Sequence, residues 1–165
     1  RYYVREFLNW FNGAHRSCFE VIAEPNPPEA IIRSGKLIRW VEVATVFWND
    51  RYAQDLYSYA TPDEIHKPIG SGPFTSMDAK FASRFVSVLK NKLEKNTYES
   101  FLDQYGPGYL VLAVKHPWFD ETTIRFMKEY WAASTEVNDR GCFRSAFLAF
   151  SSLNRMRFRR WRLSD

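Results

Sequence analysis

Pro27-Pro28-Glu29-Ala30-Ile31-Ile32-Arg33-Ser34-Gly35-Lys36-Leu37-Ile38-Arg39-Trp40-Val41-Glu42-Val43-Ala44 reads as two strands joined by a Ser-Gly-Lys turn, each strand carrying a carboxylate. Gly35 allows the positive φ that a tight turn demands, and the β-branched and aromatic residues around it favour extended backbone. Alternate strand residues point to opposite faces, so Val41 and Val43 share one face while Trp40, Glu42 and Ala44 share the other. A carboxylate in so apolar a strand is costly to bury unless it is paired, protonated or bound to metal. Two acids on neighbouring strands suit a divalent cation. An ion pair between Glu42 and Arg39 or Arg33 is the structural alternative.

Upstream, Phe7, Leu8, Trp10 and Phe11 follow Tyr2, Tyr3 and Val4 at a spacing that predicts an amphipathic helix ending near Gly13. Residues 17–23 read as a strand, broken by Pro25-Asn26-Pro27-Pro28. Glu20 lies within that strand, and Glu24 reads as a loop residue. Downstream, residues 49–77 contain Pro62, Pro68, Gly70, Gly72 and Pro73 and lack sustained periodicity. They predict a long irregular insertion, with a short helix at Tyr52–Tyr59, of the kind that serves as a lid or binding loop. Asp78 is expected to cap one helix from Ala79 to about Tyr105, ended by Gly106-Pro107-Gly108. Tyr109-Leu110-Val111-Leu112-Ala113-Val114 is a continuous apolar run, the pattern of a central strand covered on both faces. Asp120 caps a further helix, Phe143–Phe150 supplies a strand, and a hairpin returns residues 155–163 as a basic C-terminal strand.

With 165 residues, 45% of them hydrophobic, the chain can bury a core as a single domain, 1–165. No apolar run reaches the roughly 18 residues of a membrane span, so no membrane partner and a cytoplasmic location are expected. The first residue is Arg1 rather than Met, which leaves an upstream targeting segment open. His15, His66 and His116 lack ligand spacing, and Cys18 and Cys142 read as buried free thiols, which together argue against zinc. No Ser, Cys and His arrangement supports a nucleophilic hydrolase.

The net charge of +4 lies entirely in the tail, where Arg155, Arg157, Arg159, Arg160 and Arg162 are interleaved with Phe158 and Trp161. Such residues pair with phosphates and stack on bases, as a nucleic-acid interface would. An edge strand kept soluble by its arginines is the other reading. Exposure of Trp10, Trp48, Trp118, Trp131 or Trp161 would mark an interaction surface.

A helix, three strands with acids on the second and third, a long helix and a buried strand form an order that resembles the PD-(D/E)XK nuclease superfamily. Pro28-Glu29-Ala30-Ile31-Ile32 looks like the Pro-Asp half of the family motif, with Glu29 in the Asp position, and Val41-Glu42-Val43-Ala44 resembles the Glu-x-Lys half. The resemblance covers roughly Tyr3 to Val114. It implies an α/β, restriction-endonuclease-like fold in which helices sandwich a mixed β-sheet, and a nuclease that hydrolyses phosphodiester bonds in DNA or RNA. It also implies Mg²⁺ (or Mn²⁺) held by Glu29, Glu42 and the backbone carbonyl of Val43.

Ala44 stands where the family places its lysine. Some members present that lysine from the following helix, and on that pattern Lys92 is the catalytic candidate, with Lys80 another possibility. Glu6 matches a further acid that several subfamilies carry on the first helix; it also fits an exposed helix position. Nucleases that cut two strands commonly work as dimers, which makes a homodimer a further implication. The alternative is a degenerate nuclease-like domain that binds nucleic acid or a protein partner without cleavage.

Overall fold

The computed structural model describes residues 1–48, 76–134, 136–153 and 155–163. The expected insertion falls almost wholly outside them, as does its predicted short helix. The elements in chain order are α1 (Tyr2–His15), β1 (Glu20–Ala23), β2 (Ala30–Ser34), β3 (Leu37–Phe47), α2 (Met77–Leu93), a 3₁₀ turn (Asn96–Tyr98), α3 (Glu99–Tyr105), β4 (Gly108–Lys115), α4 (Glu121–Ala133), β5 (Phe143–Ser152) and β6 (Arg155–Trp161).

The six strands form one mixed sheet in the order β1-β2-β3-β4-β5-β6, an α/β architecture. β1 to β3 pair antiparallel, β4 and β5 pair parallel, and β6 returns antiparallel along β5 as an edge. Parallel neighbours need a long crossover, and α4 lies within the one joining β4 to β5. β4 is apolar and buried over nearly its whole length, as its continuous hydrophobic run requires.

Compact packing divides the chain into two units, Arg1–Thr45 with Lys90–Val114 and Val137–Asp165, and Val46–Leu89 with Lys115–Glu136. In the first unit α1 buries Val4, Phe7, Leu8 and Phe11, the helical i, i+3, i+4, i+7 stripe. They pack on Ala30, Ile32, Val41, Tyr109, Val111 and Phe147 of one sheet face. On the other face Trp40 stacks on Tyr98 at 5.4 Å and packs against Phe101 of α3 and Phe143 of β5. Helical elements therefore cover this part of the sheet on both sides. In the second unit Asp120 caps α4, its side chain accepting from the N–H groups of Thr122 and Thr123, while its own N–H donates to Thr123 Oγ1.

Several expectations are corrected. α1 runs past Gly13 to His15 and ends at Arg16, whose φ of 51° is left-handed. Asn12 Oδ1 then accepts from Ser17 Oγ and Phe19 N, which fixes the chain's reversal into β1. The predicted long helix is three pieces, because Lys95 is extended at φ −79°, ψ 125°. Asn96 and Thr97 are weak helix formers, and the break lets Tyr98 turn into the core. Asp78 lies within the first turn of α2 rather than capping it, and its Oδ1 accepts from Thr123 Oγ1 at 2.5 Å. Cys18 is exposed; Cys142 is buried, and burial raises its thiol pKa.

Candidate functional site

The β2–β3 hairpin positions Glu42 and begins one residue after Glu29. Its turn is Gly35-Lys36, closed by the Ser34↔Leu37 pair, and Gly35 takes φ 59° at the first central position, where a two-residue hairpin turn favours glycine. The ladder runs from there to Ala30↔Val41. Glu42 follows Val41 and lies just past the last pair of that ladder. Glu29 itself is not a strand residue, contrary to expectation, because β2 begins at Ala30. Pro27 and Pro28 have no N–H to give a ladder, and Asn26 N instead donates to Pro28 O in a local turn. The Glu29 side chain keeps 34% exposure, with the Arg1 main-chain nitrogen 4.0 Å from its Oε2.

Glu42 lies at the middle of β3 on the face of Trp40, and its side chain is only 6% exposed. Lys92, in the last turn of α2, reaches it, with Nζ 2.6 Å from Glu42 Oε1. The same ammonium donates to the Tyr98 hydroxyl at 3.1 Å. Burial, and then the nearby Glu42 carboxylate, push the Tyr98 pKa well above the ordinary phenol range, so Tyr98 stays neutral. Glu42 Oε2 is buried with no hydrogen-bond partner among the described residues. A buried carboxylate oxygen without a partner is expensive. It is the feature of this site that asks for a cation or a donor.

Neither arginine proposed as a counter-ion holds Glu42. Arg33 pairs with Glu20 at 2.8 Å, and Arg39 donates through Nη1 to the carbonyls of Ile38 and Tyr105. Ala44 is buried beside Glu42 on the same face, whereas the Val43 side chain packs toward α1. Glu6 is partly buried on α1 and lies 3.6 Å from Arg5 Nε. Lys80 is exposed. Strand alternation divides the basic tail: Arg155, Arg157 and Arg159 share one face of β6, and Arg160 shares the other with Met156 and Phe158. Arg162 lies beyond the strand. Trp48 and Trp161 are buried, Trp10 and Trp131 are half-buried, and Trp118 is 62% exposed.

Tyr98 is the site residue that sequence reasoning missed. It is six positions from Lys92, and the only local sign is the weak helix-forming pair Asn96-Thr97 before it. No group of three or more His, Cys, Asp or Glu able to hold a metal occurs among the described residues. Glu29 lies beside Arg1 at the start of α1, whereas Glu42 lies on the Trp40 face of β3 against Lys92. No helix among the described residues is long and apolar enough to cross a membrane. Neither family models, curated proteins nor solved structures yield a match to this chain.

Proposed function

We propose that this chain is a metal-dependent nuclease of the PD-(D/E)XK kind that hydrolyses phosphodiester bonds in DNA or RNA. The observation that carries the reading is Glu42, a buried carboxylate with Oε1 held by Lys92 and Oε2 without a hydrogen-bond partner among the described residues. Glu29 and Glu42 would hold Mg²⁺ or Mn²⁺ together with the Val43 carbonyl. When bound, the ion supplies Lewis acidity, lowering the pKa of a water and offsetting charge on the phosphate oxygens.

The chain's own residues supply orientation and charge. An ammonium has three N–H donors, and Lys92 spends two on Glu42 Oε1 and Tyr98 Oη. The third remains for an attacking water or a phosphate oxygen. The neutral Tyr98 hydroxyl and the Glu42 carboxylate fix Lys92 so that little reorganisation is needed when charge develops. Arginines of β6 grip the polyanion.

A specific observation favours a second reading. An ammonium 2.6 Å from Glu42 already provides a positive charge where a metal would, and Ala44 cannot transfer a proton. A degenerate domain that binds nucleic acid without cutting it would retain this pair as a structural element.

The deciding experiment incubates the purified chain with duplex DNA, single-stranded DNA and RNA in Mg²⁺, Mn²⁺ or EDTA. Metal-dependent cleavage, reduced at least about 100-fold in the half-exposed variant Glu29→Ala, supports the nuclease. Binding without cleavage in either metal, with no heat of metal binding by calorimetry, supports the degenerate domain.

A further inference from the structure

On the sheet face opposite Glu42, the first unit holds a cavity of about 600 Å³, the size of a small-ligand site. It lies between the end of α1, the starts of β3, β4 and β5, and the end of β6. Its wall is aromatic: Phe11 meets Tyr109 at 5.0 Å and Trp10 meets Phe147 at 5.5 Å between ring centroids. Arg39, Arg144 and Arg160 also line it, and among the described residues no carboxylate does.

The three arginines are not equivalent. Arg39 Nη1 is committed to the Ile38 and Tyr105 carbonyls. Arg144 and Arg160 are exposed and have neither an ion pair nor a side-chain hydrogen bond among the described residues. Arg144 owes its place to a bulge: Gly108 pairs with Phe143 and Tyr109 with Ser145, which leaves Arg144 as the extra residue on β5. Arg160 arrives on the same face by the alternation of β6.

We propose that this cavity binds a free nucleoside monophosphate, with the base against the aromatic wall and the phosphate on Arg144 and Arg160. Ring edges and faces favour a planar π-system over a flexible acyl chain. Two unpaired guanidinium groups without a neighbouring carboxylate favour a dianion, and the guanidinium fork matches phosphate bidentately. The site uses neither Glu29, Glu42 nor Lys92, and it shares only Arg160 with the β6 arginines of the nuclease reading.

The test titrates the full chain by calorimetry with AMP, GMP, CMP and UMP, and with adenosine and inorganic phosphate as part-ligands. The expected result is saturable binding of at least one nucleotide, at least about tenfold tighter than either part-ligand. Arg144→Ala and Arg160→Ala, both at exposed positions, should each weaken it about tenfold with an unchanged circular dichroism spectrum. Ala14→Trp, at an exposed helix position on the cavity wall, should block it, and Glu29→Ala should leave it intact. Failure of all four nucleotides to saturate, or wild-type affinity in both arginine variants, overturns the proposal. So does inorganic phosphate binding as tightly as AMP, which means a bare anion site, or binding confined to a 5′-phosphorylated oligonucleotide, which means a strand end.

Discussion

Lys92 Nζ lies 2.6 Å from Glu42 Oε1 across 50 residues of chain, joining the last turn of a helix to the middle of a strand. Removing one partner of such a pair strands the other, a larger effect than the net contribution of the pair. Lys92→Met leaves a carboxylate that is 6% exposed without its counter-ion. Because Lys92 itself is 22% exposed, the loss should fall at the lower end of the range for buried pairs, about 3 kcal/mol in urea unfolding. The double variant Glu42→Gln/Lys92→Met should recover about 1–2 kcal/mol of that loss. A Lys92→Met midpoint equal to wild type would mean that the contact carries no stabilisation.

Trp40 and Gly108 fit against each other with no room to spare. A Cβ on Gly108 would collide with Trp40 Cδ2, and the indole is fully buried. It is also fixed through its Nε1 donor to the Gly106 carbonyl at 2.9 Å. Gly108→Ala must therefore displace an aromatic ring from its stack on Tyr98. A loss of about 3 kcal/mol is expected, at the upper end for overpacking, with a fall in near-ultraviolet tryptophan dichroism. Wild-type thermal stability in this variant would show that the indole relaxes freely.

What could be read from sequence is what local periodicity dictates. The apolar stripe Val4, Phe7, Leu8, Phe11 specifies α1, the unbroken run from Tyr109 to Val114 specifies the central strand, and Gly35 marks the turn between β2 and β3. Glu42 stood out because it breaks an apolar strand. Other features depend on tertiary packing that overrides local preference. The break at Lys95 contains neither Gly nor Pro, and it forms because burying Tyr98 against Trp40 outweighs continuing the helix. The Arg144–Arg160 cavity arises from a bulge and a strand register, neither of which is written in the spacing of the arginines.

His116 should make stability depend on pH. Its Nδ1 accepts from the Trp118 N–H at 3.2 Å, which leaves the proton on Nε2, buried and 3.7 Å from Asp78 Oδ1. Burial lowers its pKa below the ordinary 6.5, against the opposing pull of Asp78 and Asp120. The folded state therefore binds a proton less readily than the unfolded chain. Stability is fully present above 6.5 and is lost as pH falls from there toward the folded value. Urea midpoints measured at about pH 7.5 and about pH 5.5 should differ in wild type, and the difference should shrink in His116→Phe. An identical pH dependence in the two proteins would assign the effect to carboxylates.

Arg155 and Arg157 lie exposed on one face of an edge strand whose other face turns Met156 and Phe158 toward α1. If this outer face contacts a phosphate backbone, each arginine that neutralises a phosphate releases condensed counter-ions. The slope of log affinity against log salt for duplex DNA should then fall by about 0.9 for each alanine substitution. Arg157→Ala and Arg155→Ala/Arg157→Ala, measured by fluorescence anisotropy on a labelled duplex over a salt series, should show one and two such steps. Loss of affinity with an unchanged slope would place the polyanion elsewhere. These arginines would then be the charges that keep the edge of β6 from pairing with another chain.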